Sequence, residues 1–422
     1  MSEFDHQASS YGDTLIDQVA DWLITRALAG ADIEEVFNGC CERLRAAGIP
    51  IWRGSIGFST LHPLFGGMSL IWKPQEGLIS ENHLHGEMLN NEAFEQSPIA
   101  VVLKGSTSFL RRRLTGDDAL VDFAVLEKFR DEGATDYLIN ASAFSETPTT
   151  YSSTEGMIAS WLTDRNSGFS DRDIAALMRI QKRLAVACKV TIKEQTARNV
   201  LNAYLGRSAG DRVLQGQIKL GDGEEIDAVI WFSDLRGSTP LAESVTKPEF
   251  LAILNDYFEV TAGAVIANGG EVLRFIGDAV LAIFPIDVAG MSENAAAEAA
   301  VAALQDADER LLRINEKRTA DGKPAISFGA GLHVGEVLYG NIGVPERVEF
   351  SVIGAAANEA ARIESLTKTV DHHALASKAF VDLCPDGWAS VGHHPLRGVG
   401  QEIEVFARDT TILAGARKVA RS

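Results

Sequence analysis

Hydrophobic and polar positions change their period along this chain. From Leu15 to Ala29 the apolar residues Leu15, Ile16, Val19, Trp22 and Leu23 recur at helical spacing, and Ile33–Ala47 repeats the pattern. Strand-like runs follow at Arg53–Ser59, Met68–Trp72, Tyr137–Ala143 and Gly156–Thr163, with a helix predicted over Leu120–Glu132. Helices beside an antiparallel sheet give an α+β module over residues 1–168. Phe169-Ser170-Asp171-Arg172-Asp173 then opens a helix, with Ser170 as N-cap and Asp173 in an acidic variant of the capping box. Ile174, Leu177, Ile180, Leu184, Ala187 and Val190 form a stripe, and no Gly or Pro interrupts the run before Leu205. A helix of that length would extend ~50 Å. Its stripe is expected to be hidden by a second copy packed in parallel, which makes residues 169–223 a signalling rod and dimerisation element.

Residues 224–408 alternate between the two periods. Strands are predicted at Asp227–Phe232, Glu271–Phe275, Ala279–Phe284, Ser327–Gly335, Val337–Ile342, Ala374–Ser377 and Ile403–Ala407. Helices are predicted at Lys247–Asn268, Glu293–Lys317 and Ala355–Thr367, with a polar loop over Asn315–Pro324 and a tail over 409–422 that is expected to fray from Ala414 to Ser422.

Composition narrows the function classes. The 422 residues fit roughly two to three domains. A net charge of −19 argues against nucleic acid or an anionic membrane surface as partner. The one basic run, Arg111-Arg112-Arg113, is read as a solvated loop or helix end. Cys40, Cys41, Cys188 and Cys384 have neither metal-ligand spacing nor disulfide density, as expected of reduced thiols. No run reaches ~18 consecutive apolar residues, and the N-terminus is acidic and polar, so a cytoplasmic protein without membrane insertion is expected.

Candidate chemistry lies in the third block. Asp234 closes the apolar run Ile230-Trp231-Phe232-Ser233, and Asp278 follows Phe275-Ile276-Gly277. A carboxylate at a strand end is costly to bury unless it meets a cation, and two on neighbouring strands can share hard divalent metals. The Arg236-Gly237-Ser238-Thr239 turn leads towards a helix, where unpaired N–H groups can hold phosphate oxygens. Arg347–Gly354 runs as a strand into a helix carrying Asn358 and Arg362 on one face. An Asn can hydrogen-bond a ribose, and an Arg fork can neutralise charge at phosphorus. Taken singly, each of these residues fits an ordinary cap, turn or surface position. His333 and Trp231 are read as packed residues, and His372-His373 and His393-His394 as loop or edge positions.

Together these motifs resemble the class III nucleotidyl cyclase catalytic domain, a ferredoxin-like, palm-type α+β fold, over about Ile226 to Phe406. The carriers are Phe232–Thr239, Gly269–Ala279, Tyr339–Gly343 and Ser351–Gly354 through Asn358 to Arg362. The resemblance implies that Asp234, Asp278 and Leu235 form a site for two Mg²⁺ or Mn²⁺ ions. It further implies that Asn358 orients the ribose and Arg362 stabilises the transition state. Arg274 and Ser351 would select the purine, with Arg397 reaching the terminal phosphates. Arg274 stands where adenylate cyclases commonly have Lys, and Ala355 where the family often has Asp or Asn. ATP is the expected substrate, with a guanylate or mixed-purine cyclase, or a silent nucleotide sensor, as alternatives. Family members place metal and base residues on different subunits, so a homodimer with shared sites is expected. Residues 1–168 resemble a GAF-type sensor in order of elements, which implies a small-molecule or protein input of unknown identity.

Overall fold

The computed structural model describes residues 3–62, 64–85, 92–104, 107–144, 156–287, 290–370, 372–395 and 402–408. The chain divides into two compact units at Ala203/Tyr204.

The first unit begins with helices α1 (Glu3–Leu28) and α2 (Ile33–Ala46). It continues through strands β1 (Arg53–Ser59), β2 (Phe65–Lys73) and β3 (Gly77–Leu84), short helices α3 (Glu92–Glu95) and α4 (Pro98–Leu103), and strand β4 (Phe109–Arg113). Helix α5 (Ala124–Asp131), strands β5 (Asp136–Ala143) and β6 (Gly156–Thr163) and helix α6 (Asp171–Leu205) follow. The six strands form an antiparallel sheet in the order β3-β2-β1-β6-β5-β4. Strand alternation sends Leu138 to the face covered by α1, α2 and α6, and Tyr137 and Ile139 to the face covered by α4 and α5.

Two features here differ from the sequence reading. The arginine run is strand β4, not a solvated loop. Arg111 Nη2 donates to the fully buried Asp136 Oδ2 at 2.7 Å, and Arg112 Nη2 donates to Asp122 Oδ2 at 2.9 Å. The basic residues therefore answer acids inside the unit. The stripe of α6 is also used internally: Leu177, Ile180, Leu184, Ala187 and Cys188 are buried with Leu23, Phe37 and Trp161. That packing removes the apolar seam expected to face a second copy, and beyond Ile192 no residue of α6 is buried. The helix start is as read: Ser170 N donates to Asp173 Oδ2 at 2.8 Å and Asp173 N to Ser170 Oγ at 3.3 Å.

The second unit opens with α7 (Arg207–Leu214) and β7 (Gly223–Leu235). Then come α8 (Ser238–Ser244), α9 (Lys247–Ala267), β8 (Glu271–Ile276), β9 (Ala279–Pro285) and α10 (Glu293–Ala320). Next are β10 (Phe328–Val344), β11 (Arg347–Ile353), α11 (Ala355–Leu366), β12 (Ala374–Ser377), α12 (Lys378–Leu383), β13 (Trp388–Pro395) and β14 (Glu402–Arg408). The sheet order is β13-β14-β12-β10-β7-β9-β8, and β11 pairs with the far half of β10. Central β7 is buried on both faces. Val229 and Trp231 join the core under α9 and α10, while Ala228 and Ile230 join Ala356 and Ala360 of α11. Helix α9 is long and apolar enough by composition to cross a membrane. Its Ile253, Tyr257, Val260 and Val265 lie in the core of this unit instead.

Two strands expected around Gly335 are one continuous β10. A Cβ at Gly335 would crowd that of Ala356, so the glycine admits α11 rather than breaking the strand. The loop expected over Asn315–Pro324 begins later, because α10 continues to Ala320 and Asn315 Nδ2 donates to Ile326 O at 2.8 Å.

Candidate active site

The β8–β9 hairpin turns on two residues, Gly277 and Asp278. Gly277 has φ +65, the left-handed value that the first central position of such a turn favours and that glycine adopts without strain. The turn sets Asp278 next to Ala279, and Ala279 is the cross-strand partner of Asp234 at the end of β7. Leu235 N donates to the Asp278 carbonyl at 3.2 Å, which locks the two strand ends together. The two carboxylates thus issue from neighbouring positions at one end of the sheet. Among the described residues, the Asp278 side chain has no ion pair or hydrogen bond.

Asp234 is mostly buried, at 17% side-chain exposure, and one oxygen is taken: Lys368 Nζ donates to its Oδ2 at 2.7 Å. Behind it lies Glu364 on α11, 1% exposed, with Lys368 Nζ and Arg236 Nη1 each 3.9 Å from a carboxylate oxygen. Burial pushes the Glu364 carboxyl up from its ordinary range. Arg236 also donates to Thr367 Oγ1. Gly329, directly opposite Asp234 in the β7–β10 register, makes room for this network. A Cβ there would collide with Arg236, Thr367 and Glu364. Two carboxylates, Asp234 and Glu364, therefore face two cationic side chains, and Asp278 stands beside them at the strand end without an ion pair; among the described residues no group of three or more His, Cys, Asp or Glu side chains is clustered as metal ligands. Two carboxylates suit Mg²⁺, which commonly takes one or two from protein and completes its shell with water and phosphate oxygens.

Base-selecting candidates lie on β8 and β11. Arg274 Nε is 2.5 Å from Glu349 Oε1 on β11. Ser351, two residues along that strand and so on the same face, is 2% exposed opposite Gly340. The structure thus ties Arg274 to the face that carries Ser351. Arg397 lies outside the described residues.

Asn358 and Arg362 are not brought to Asp234 within one chain. Glu364 faces the Asp234 network, and a helix turns ~100° per residue, so Arg362, two positions earlier, projects from nearly the opposite side of α11. Asn358 is exposed, donates to the Gly354 carbonyl at 3.4 Å, and stands about 9 Å of helix rise from Glu364.

Lys368, Glu364 and Glu349 were not singled out by sequence. The only signal for the first two is their spacing of four, which normally marks a surface ion pair. His333 is largely buried, as read, and its Nδ1 is 2.9 Å from Ser377 Oγ and its Nε2 3.3 Å from Glu359. His373, expected at a loop or edge, lies 3.1 Å from the buried Asp308.

Residues 223–376 match the family model of the adenylate and guanylate cyclase catalytic domain. An adenylate cyclase of Anabaena cylindrica is 32% identical over 201 residues, covering 46% of this chain and 37% of that protein. Adenylate cyclase 1 of Rhizobium meliloti is 28% identical over 232 residues, 53% of this chain and 34% of that protein. The chain thus spans little more than a third of these curated relatives. Among solved structures, the adenylyl cyclase CyaB from P. aeruginosa is 24% identical at a TM-score of 0.41, covering 45% of this chain and 97% of that one. The stretch from Gly223 to Ala376 is an adenylate and guanylate cyclase catalytic domain.

Proposed function

We propose that this chain is an adenylate cyclase that converts ATP to 3′,5′-cyclic AMP and pyrophosphate at sites shared by two copies. One observation carries this reading: Asp234 and Asp278 sit together at one strand end, while Asn358 and Arg362 project away from them on α11. A second copy would bring the missing side chains. Exposed apolar residues on β8 and the β10–β11 hairpin (Phe275, Ile276, Leu338, Val348 and Ile353, at 38–53% exposure) offer a surface for it.

Asp234 and Asp278, with Leu235 beside them, would hold two Mg²⁺ or Mn²⁺ ions, which supply activation of the ribose 3′-oxygen and neutralisation of the triphosphate. Asn358 of the other copy orients the ribose so that the 3′-oxygen stands in line with the α-phosphorus. The 3′-hydroxyl gives up its proton to solvent water, its oxygen bonds to the α-phosphorus, and the bond from that phosphorus to the leaving pyrophosphate breaks. Arg362 donates to the phosphoryl oxygens as their charge grows, and Arg397 reaches the terminal phosphates. Ser351 accepts from the adenine amino group, and Arg274 donates to the ring edge. The enzyme acts in the cytoplasm. Residues 1–168 form a GAF-like regulatory module answering an unidentified small molecule or protein.

A mixed-purine cyclase is the second reading, favoured by the Arg274–Glu349 pair. A carboxylate at that position offers the donor edge of guanine an acceptor. Incubating the full chain with Mn²⁺ and ATP or GTP, at several protein concentrations, tests both. We expect cyclic AMP, with a rate per chain that falls on dilution and is lost in Asp234→Ala. A wild-type chain that makes no cyclic nucleotide sinks the proposal.

A further inference from the structure

Lys368 lies just past the end of α11, in a turn that follows no motif read from the sequence. Its ammonium nevertheless makes the closest contact at the Asp234 carboxylate, 2.7 Å from Oδ2, with Glu364 Oε2 3.9 Å away on its other side. The side chain is 50% exposed, whereas the two carboxylates sit in the wall of the unit, Asp234 17% and Glu364 1% exposed. A lysine ammonium carries its positive charge at neutral pH. A charged donor on a ligand oxygen and a divalent ion cannot share that oxygen without mutual repulsion.

We propose that Lys368 is a built-in competitor for the divalent cation, holding Asp234 until metal displaces it towards Glu364. The inference rests on the reading of Asp234 as a metal ligand. It makes Glu364 a positioning residue: a buried carboxylate that receives the displaced ammonium, with Arg236 limiting its charge. In wild type, metal without nucleotide must expel the lysine, so loading is weaker than the two aspartates alone would give. Because the competitor is part of the chain, its effective concentration does not fall on dilution.

The test is a Mn²⁺ titration of the full chain without nucleotide, following free Mn²⁺ by electron paramagnetic resonance. Wild type, Lys368→Met, Lys368→Gln, Lys368→Arg and Asp234→Ala are compared, with circular dichroism to confirm that each folds. Removing the ammonium in Lys368→Met is expected to tighten Mn²⁺ binding about three- to tenfold, the size of a partly exposed ion pair plus the repulsion relieved. Lys368→Gln should do the same and covers the case in which the Met variant does not fold. Lys368→Arg, which keeps the charge, should stay near wild type. Unchanged or weaker binding in folded Met and Gln variants would overturn the proposal, as would absence of binding in all lysine variants. Asp234→Ala separates the two ideas. If it binds Mn²⁺ like wild type, the metal-site reading itself fails. If it loses binding while Lys368→Met gains none, only the competitor is lost.

Discussion

In the first unit the buried Asp136 meets Arg111 and Arg113, and Asp173 meets Arg165 and the Ser170 cap. In the second unit Asp234 shares a single half-exposed lysine with the buried Glu364, and Asp278 has no partner among the described residues. Both sets of acids lie at strand or helix ends, and among the described residues only the first set is fully partnered. Satisfied acids fasten helices to a sheet. An under-satisfied group held in place by rigid strands is an expense that function explains better than stability does.

The contrast predicts where substitutions act. Arg362→Ala should lower kcat about 100-fold with little change in melting temperature, because the side chain projects from α11 and is needed only as charge develops. A large fall in stability would place it among the structural arginines instead. Leu184→Ala should do the reverse. It opens a cavity in the core of the first unit and should cost about 3 kcal/mol in denaturant unfolding, with unchanged mass by light scattering. Loss of dimer in that variant would return the α6 stripe to a seam between copies. Arg111→Ala leaves the buried Asp136 with the Phe169 N–H at 3.0 Å and the longer Arg113 contact at 3.6 Å, and should cost the first unit about 2 kcal/mol while basal cyclase activity persists.

The smallest effect concerns pH. Burial lowers the His333 pKa below its ordinary value, partly opposed by Glu359. The unfolded chain therefore binds the proton more readily, so this contribution to stability is present above the unfolded value of about 6.5 and fades as pH falls through the lowered folded value. Melting curves of wild type and His333→Gln should converge in that acid range. A constant separation across it would remove the histidine from the account.

Much of the site was legible because its residues sit in patterned elements. Apolar runs located β7 and β9, and the Gly277-Asp278 turn placed the second acid beside the first. What escaped was set by tertiary contact. Strands β3 and β4 carry polar or basic sequences, Ser80-Glu81-Asn82-His83 and Arg111-Arg112-Arg113, that no strand period announces. Their pairing comes from β2 and β5. Gly335 looked like a break and is a contact surface. The stripe of α6 specified burial without saying against what, since a seam between copies and a face on a sheet share the same spacing. Lys368 was invisible for a related reason: its partner Asp234 is distant in sequence and reached only through the packing of α11 on β7 and β10.

The central claim is that one copy supplies Asp234 and Asp278 while the other supplies Asn358 and Arg362. Mixing tests it most directly. Asp234→Ala and Arg362→Ala are each prepared as inactive protein, allowed to exchange subunits, and assayed for cyclic AMP. Each mixed dimer would hold one doubly defective site and one intact site. Activity should therefore return to about a quarter of wild type at equal mixing. A mixture that forms mixed dimers, confirmed by mass, yet stays as inactive as its parents would contradict the shared site.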